Sequence, residues 1–145
     1  MKNINEKGFS LVELLVVVVI IGIIAAIAIP ALRKATQAAE NGTTFATMRT
    51  ISSSQVGFFS QNSRFGRLPE LNNQLGNGIG TTILDRIVRN KFTFEMVPVV
   101  PTDADLRNEY TITATRTVLN PGDIVYKYEL TQTGEIKQIE PAPTL

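Results

Sequence analysis

The sequence predicts an α+β chain: a long N-terminal α-helix whose second half packs on a C-terminal antiparallel β-sheet of about four strands. Three observations carry this reading. Leu14 to Ile29 is an uncharged apolar run. A stripe of small and apolar residues at spacings of three and four follows it, which is one face of a helix. Period-two alternation with short turns then occupies the last third of the chain.

The 145 residues suit one domain of ordinary size behind the apolar run. A formal net charge of +1 provides neither a basic field for nucleic acid nor an acidic tail. The chain has no Cys, hence no disulfide and no thiolate metal site, and no His, the commonest general base and metal ligand. No nucleophile–base pair can be built on those residues and no carboxylate pair stands out. The expectation is a protein that is not an enzyme and carries no cofactor.

Phe9 to Leu32 is 24 residues. At a rise of 1.5 Å per residue it spans roughly 36 Å, enough to cross a hydrocarbon core of about 30 Å. A secretory signal has a shorter apolar core followed by a small-residue cleavage site. Here Lys2 and Lys7 supply the basic start, but the run is too long and ends without such a site. It reads as a membrane anchor that stays with the protein. Arg33 and Lys34 after the span nearly balance Lys2 and Lys7 before it, so charge alone does not orient it. Glu13 is the anomaly, because a carboxylate at the bilayer centre costs about 2.5–3.5 kcal/mol on insertion scales. It calls for a partner, and it also lies near a helix N-terminus, where an anion gains about 0.3–1 kcal/mol from the dipole.

The stretch Lys7-Gly8-Phe9-Ser10-Leu11-Val12-Glu13, with the apolar run and Pro30 after it, resembles the N-terminus of type IV pilins and type II secretion pseudopilins. The resemblance covers the first 30 or so residues and is architectural beyond them. It implies a leader at residues 1–8, cleavage between Gly8 and Phe9 by a prepilin peptidase, and methylation of the new Phe9 amine. It implies that Glu13 meets the Phe9 amine of a neighbouring copy and so sets the register of assembly. The implied fold is the pilin fold: helix 9–60, with 9–32 in the membrane, then a head at 61–145. The implied partners are copies of the chain itself in a helical homopolymer, the peptidase, and an assembly platform with its ATPase. The implied location is the cytoplasmic membrane of a bacterial or archaeal-type envelope as a single-pass precursor, then an extracellular pilus.

Along the helix, Pro30 removes a backbone bond and favours a kink, and Gly22 is a second weak point. The resemblance implies that the stretch between them loosens in assembled filaments. Beyond Pro30, the spacing of Ala31, Ala35, Ala38, Gly42, Phe45, Met48, Ser52, Val56 and Phe59 marks one face, read as core from Phe45 onward. The connector 61–91 is rich in Asn and Gly with Pro69, and reads mostly as loop. Within it, Ile83, Ile87 and Val88 after Thr81-Thr82 predict a short helix. Phe58 to Leu71 is also similar to the segment that follows the long helix in pilins.

The sheet is expected over 92–140. Phe92, Phe94 and Met96 alternate with polar residues. Tyr110, Ile112, Ala114 and Val118 share a face, as do Ile124, Tyr126, Tyr128 and Leu130. Turns are expected at Asn120 to Asp123 and Thr133 to Glu135. One face of the meander should cover Phe45 to Phe59 and the other should meet water.

Other motifs carry less. Gly76 to Gly80 lacks dinucleotide-binding spacing and reads as a flexible loop. Asp103 and Asp105 are weak candidate metal ligands without the rest of a calcium loop. Arg64, Arg67, Arg86, Arg89 and Lys91, with Phe65 among them, suit either nucleic acid or, preferably, charge balance in a filament. The leading expectation is therefore a type IV pilus subunit serving adhesion, motility or DNA uptake. The alternatives are a major pseudopilin of a type II secretion system and, in another class, a membrane-anchored module that binds a ligand or DNA.

Overall fold

The computed structural model describes residues 8–117 and 124–141. Leader residues 1–7, Val118 and the turn expected at Asn120–Asp123 lie outside them. The chain divides into two units, Met1–Ala39 and Glu40–Leu145. Helix α1, Leu11–Asn62, contributes to both and continues unbroken through Gly22 and Pro30. The second unit adds helix α2 (Leu68–Gln74) and six strands: β1 Thr81–Ile83, β2 Arg86–Arg89, β3 Phe92–Met96, β4 Thr111–Arg116, β5 Lys127–Thr131 and β6 Ile136–Glu140. The strands form one antiparallel meander in sequence order.

The α+β class and the three main strands agree with the sequence reading. Phe92, Phe94 and Met96 are buried, and so are Tyr110, Ile112 and Ala114, and Tyr128 and Leu130. The last hairpin turns at Gly134, whose φ of 78° lies in the region that favours glycine. Strand β5 starts only at Lys127, so Ile124 and Tyr126 precede it, and Ile124 is exposed.

Two expectations in the connector fail. Residues 81–90 are not a helix but a hairpin, with Thr81 opposite Val88 and Ile83 opposite Arg86. Its residues are largely β-branched, which suits a pleated surface better than a helix. Ile87 faces the core while Arg86 faces water, a period of two that so short a segment hides. The sheet therefore has six strands rather than about four. Residues 61–91 are likewise not mostly loop. Helix α2 opens on Leu68-Pro69, and proline in a first turn gives up only an N–H that has no helical partner anyway. The Glu70 carboxylate accepts the Arg67 amide at 2.8 Å, satisfying an orphan donor of that first turn. Leu68, Leu71 and Asn72 form its buried face.

The Gly76–Gly80 segment, expected to be flexible, is pinned by the fully buried Asn72. The Asn72 amide nitrogen donates to the Gly80 carbonyl at 2.9 Å and the Thr82 hydroxyl at 2.8 Å, and its oxygen accepts the Ile79 amide at 3.0 Å.

The packed face of α1 is rotated from the predicted one. Thr44, Thr47, Met48, Ile51 and Gln55 are buried. Phe45 and Ser52 lie at the edge, Gly42 is exposed, and Val56 is 65% exposed. A pattern built from small and apolar letters misses threonine and glutamine. Thr44 and Thr47 donate their hydroxyls to the carbonyls of Glu40 and Thr43 (3.0 and 2.8 Å), which leaves their methyl groups to pack. Gln55 pairs with both backbone groups of Gly66, donating to its carbonyl at 2.9 Å and accepting its amide at 2.7 Å. A Cβ at Gly66 would come within 2.8 Å of Leu71 and 3.1 Å of Phe58, so the approach needs glycine.

At the other end of this face, Glu40 holds Lys91 at 3.0 Å and Arg116 at 3.1 Å, tying the helix to the sheet. All five cations of the connector are engaged within the chain. Arg64 pairs with Glu70, Arg67 with Asp103, Arg86 with Glu95 and Lys91 with Glu40, while Arg89 donates to the carbonyls of Gly78 and Ile79. Their charges are balanced inside the head.

Two substitutions test these seams. Gln55→Leu leaves both backbone groups of Gly66 buried and unpaired, and should cost about 2–4 kcal/mol in chemical unfolding of the detergent-solubilised chain. Leu84 sits in the β1–β2 turn at φ 56° and is 88% exposed, so Leu84→Gly removes strain without losing packing. It should stabilise the head by about 1 kcal/mol in the same measurement.

Candidate processing and assembly segment

The residues singled out at the N-terminus lie together at the start of the first unit. Gly8, Phe9 and Ser10 precede the helix in no regular structure, and Phe9 is 82% exposed. Outside regular structure and uncovered, this dipeptide is open to a peptidase. α1 begins at Leu11 and places Glu13 in its first turn. There the Glu13 carboxylate accepts the backbone amide of Ser10 through Oε2 at 2.8 Å. The Leu14 amide bonds to the Ser10 carbonyl at 3.2 Å, so Ser10 is the helix cap. Ser10-x-x-Glu13 thus forms the reciprocal half of a capping box, in which the third helical residue reaches back to the cap amide. The Ser10-x-x-Glu13 spacing is itself the sequence signal of this cap, beside the charge that makes Glu13 conspicuous.

The apolar run behind Glu13 has no cover of its own. Leu11, Val12 and Leu14 to Ile21 are all exposed, as are Ile23, Ile24, Ile27, Ile29 and Leu32. Among the described residues α1 is the one helix long and apolar enough to cross a membrane, and none of its most apolar window is buried. Apart from the Ala26 carbonyl, which Pro30 leaves without its helical donor, the backbone groups inside the run pair within the helix, the condition a lipid environment imposes. Pro30 is tolerated inside it. At Gly22 an added Cβ would meet nothing within 4 Å, so no internal contact calls for glycine there.

Residues 3–29 match the family described as the prokaryotic N-terminal methylation motif. The chain carries the hallmark of type IV pilins and pseudopilins. The match begins in the basic leader and ends one residue before Pro30, so it contains Gly8, Phe9, Glu13 and Gly22. No curated protein and no solved structure matches the chain. The motif implies processing by a prepilin peptidase and handling by a pilus-type assembly machinery. With the apolar helix, it marks a membrane-anchored precursor.

The weak metal candidates have other employment. Asp103 accepts from Arg67 at 2.6 Å. Asp105 accepts the hydroxyl and amide of Thr102 at 2.7 and 2.9 Å, which hold its carboxyl below the usual range. No group of three or more carboxylates that could hold a metal ion occurs among the described residues.

Nearby, the α1–α2 junction depends on Glu70. The Arg64 guanidinium grips it at 2.7 and 2.9 Å and, with the Arg67 amide, lowers its pKa from the ordinary 4.5. A depressed carboxylate contributes stability above its unfolded pKa and loses it as pH falls through the folded value. Glu70→Gln should therefore lower stability at pH 7 and flatten the decline below pH 4.5, as read from unfolding midpoints across an acid titration.

Proposed function

We propose that the chain is a structural subunit of a type IV pilus, cut after Gly8 and polymerised through its N-terminal helix. The observation that carries this reading is one helix with a methylation motif at its start and an apolar face that no described residue covers. In the precursor, lipid covers it. In a fibre, the same residues of neighbouring copies would cover it, so one surface serves both states. A contact that joins different patches on successive copies need not close into a ring, and it then yields a helical filament. Catalysis forms no part of this function.

The geometry at Glu13 supports the register role. Ser10 keeps its amide proton after cleavage, because the new terminus is Phe9. The capping bond uses Oε2, and Oε1 stays available to the cationic amine of an adjacent copy. That pairing compensates the acid where water is scarce.

A pseudopilin of a secretion system is the second reading, because the same motif marks both kinds of subunit. Long surface fibres in electron micrographs of expressing cells separate the two.

In cells that carry the peptidase, mature protein should begin at Phe9 with a methylated amine, as read by N-terminal mass spectrometry. Glu13→Ala should leave the precursor in the membrane at normal level and abolish filaments. An intact Met1 in fully processed cells, or normal fibres from Glu13→Ala, would overturn the reading.

A further inference from the structure

We infer that the head carries a docking cleft for Arg33 and Lys34 of a second copy, formed between the end of β3 and the start of β4. The inference rests on the filament reading and deepens it.

The cleft encloses about 160 Å³. Its floor is apolar, made by Met96, Leu106 and Tyr110, which are all buried. Its rim carries two carboxylates, Asp105 and Glu109, and the half-exposed Val97 lies at its lip. The volume equals about five water molecules at 30 Å³ each, the size of one long side chain. An apolar floor below an acidic rim suits a side chain with an aliphatic stem and a cationic head. Glu109 forms no ion pair among the described residues. The Asp105 bonds to Thr102 compensate its charge only in part, and they use Oδ2 alone.

The occupant follows from charge. Among the described residues of the first unit, Glu13, Arg33 and Lys34 are the only charged side chains. Glu13 has its cap amide, whereas Arg33 and Lys34 are exposed and form no ion pair among the described residues. They stand directly behind the apolar run. In the precursor, anionic headgroups lie at that depth and can neutralise them. Extraction into a fibre removes those headgroups, and two cations are left at the margin of a low-dielectric core. Such charges require counter-charges. The five cations of the connector are already paired within the head, so the unspent carboxylates matter. Two cations from one copy meet two carboxylates on another, on a surface shaped for a long cationic side chain. The contact is heterologous, as an open helical array requires.

The test uses the full-length chain in cells with the processing and assembly machinery, scoring sheared filaments against membrane-held precursor. Glu109 is a surface residue, and Glu109→Lys should leave precursor level and head unfolding unchanged while lowering filament yield about tenfold or more. Lys34→Glu or Arg33→Glu should do the same, and at least one of them should restore yield when combined with Glu109→Lys. The chain has no native cysteine. Cells co-expressing Glu109→Cys and Lys34→Cys copies should therefore yield disulfide-linked dimers in filaments and none in unassembled precursor. Wild-type yield from Glu109→Lys, or loss without rescue by either partner and without a cross-link, overturns the inference and leaves the filament reading intact. Absence of filaments from the wild-type chain overturns both.

Discussion

The structure depends on one constraint: an apolar helical surface about twenty residues long must be covered, and none of the described residues covers it. Buried apolar area contributes about 25 cal/mol per Å². A run of Leu, Val and Ile left in water would therefore outweigh the few kcal/mol that separate folded from unfolded heads. The cover must come from lipid or from another protein surface. That requirement explains why the run admits no charge from Leu14 to Ile29 and why its backbone is helical throughout.

The head meets the opposite constraint, because it must be stable without the run. Its core is closed on one side by the sheet and on the other by the second half of α1. Apolar contact alone does not fix the rotation of a helix on a sheet, since many rotations bury similar area. Polar anchors fix it here. Glu40 binds two cations at the start of the packed face, and Gln55 binds the Gly66 backbone at its end. Asn72 does the same for the loop into the sheet, and Arg64 with Glu70 for the path into α2. An aromatic chain reinforces the seam: Phe59 to Phe65 and Phe65 to Tyr110 both lie at 4.8 Å, and Phe45 reaches Tyr128 at 4.6 Å. Each polar anchor is specific because an unpaired buried group is costly.

Legibility in the sequence followed the length of each signal. The apolar run, the junction at Gly8 and Phe9, and strands β3, β4 and most of β5 were readable, because each repeats one pattern over several residues or matches a known one. The failures have a common cause. The β1–β2 hairpin is three and four residues long, too short for a period of two to separate from a helical spacing. Its turn uses Leu84 at positive φ, where the usual glycine signal is missing. Helix α2 was masked by Pro69, which ends a helix when internal and begins one when in the first turn. The packing of Gln55 on α1 and the pinned glycine loop both depend on polar side chains whose partners lie seven to eleven residues away. No window of local hydrophobicity contains that information. The cleft above Leu106 is also invisible to the sequence, because its two carboxylates gain meaning only when Met96 and Tyr110 form a floor beneath them.

The capping bond at Glu13 changes how the acid should be understood. On the proposed reading, a bare carboxylate at the edge of lipid would be a burden in every precursor until assembly relieved it. With the Ser10 amide on Oε2, and the helix terminus beside it, part of that burden is already met inside one chain. The affinity for an incoming amine is then smaller than for a bare charge, since the neighbour supplies only what the cap leaves unmet. The geometry becomes stricter in exchange. The cap holds the carboxylate on one side of the first turn, and the free oxygen faces a limited set of directions. On the proposed reading, hydrophobic contact along the run supplies the non-directional attraction between helices, and it tolerates many axial offsets. The oriented carboxylate selects among those offsets. Register then comes from a single polar contact and cohesion from the many apolar ones, the same division of labour that Glu40 and Gln55 show between helix and sheet in the head.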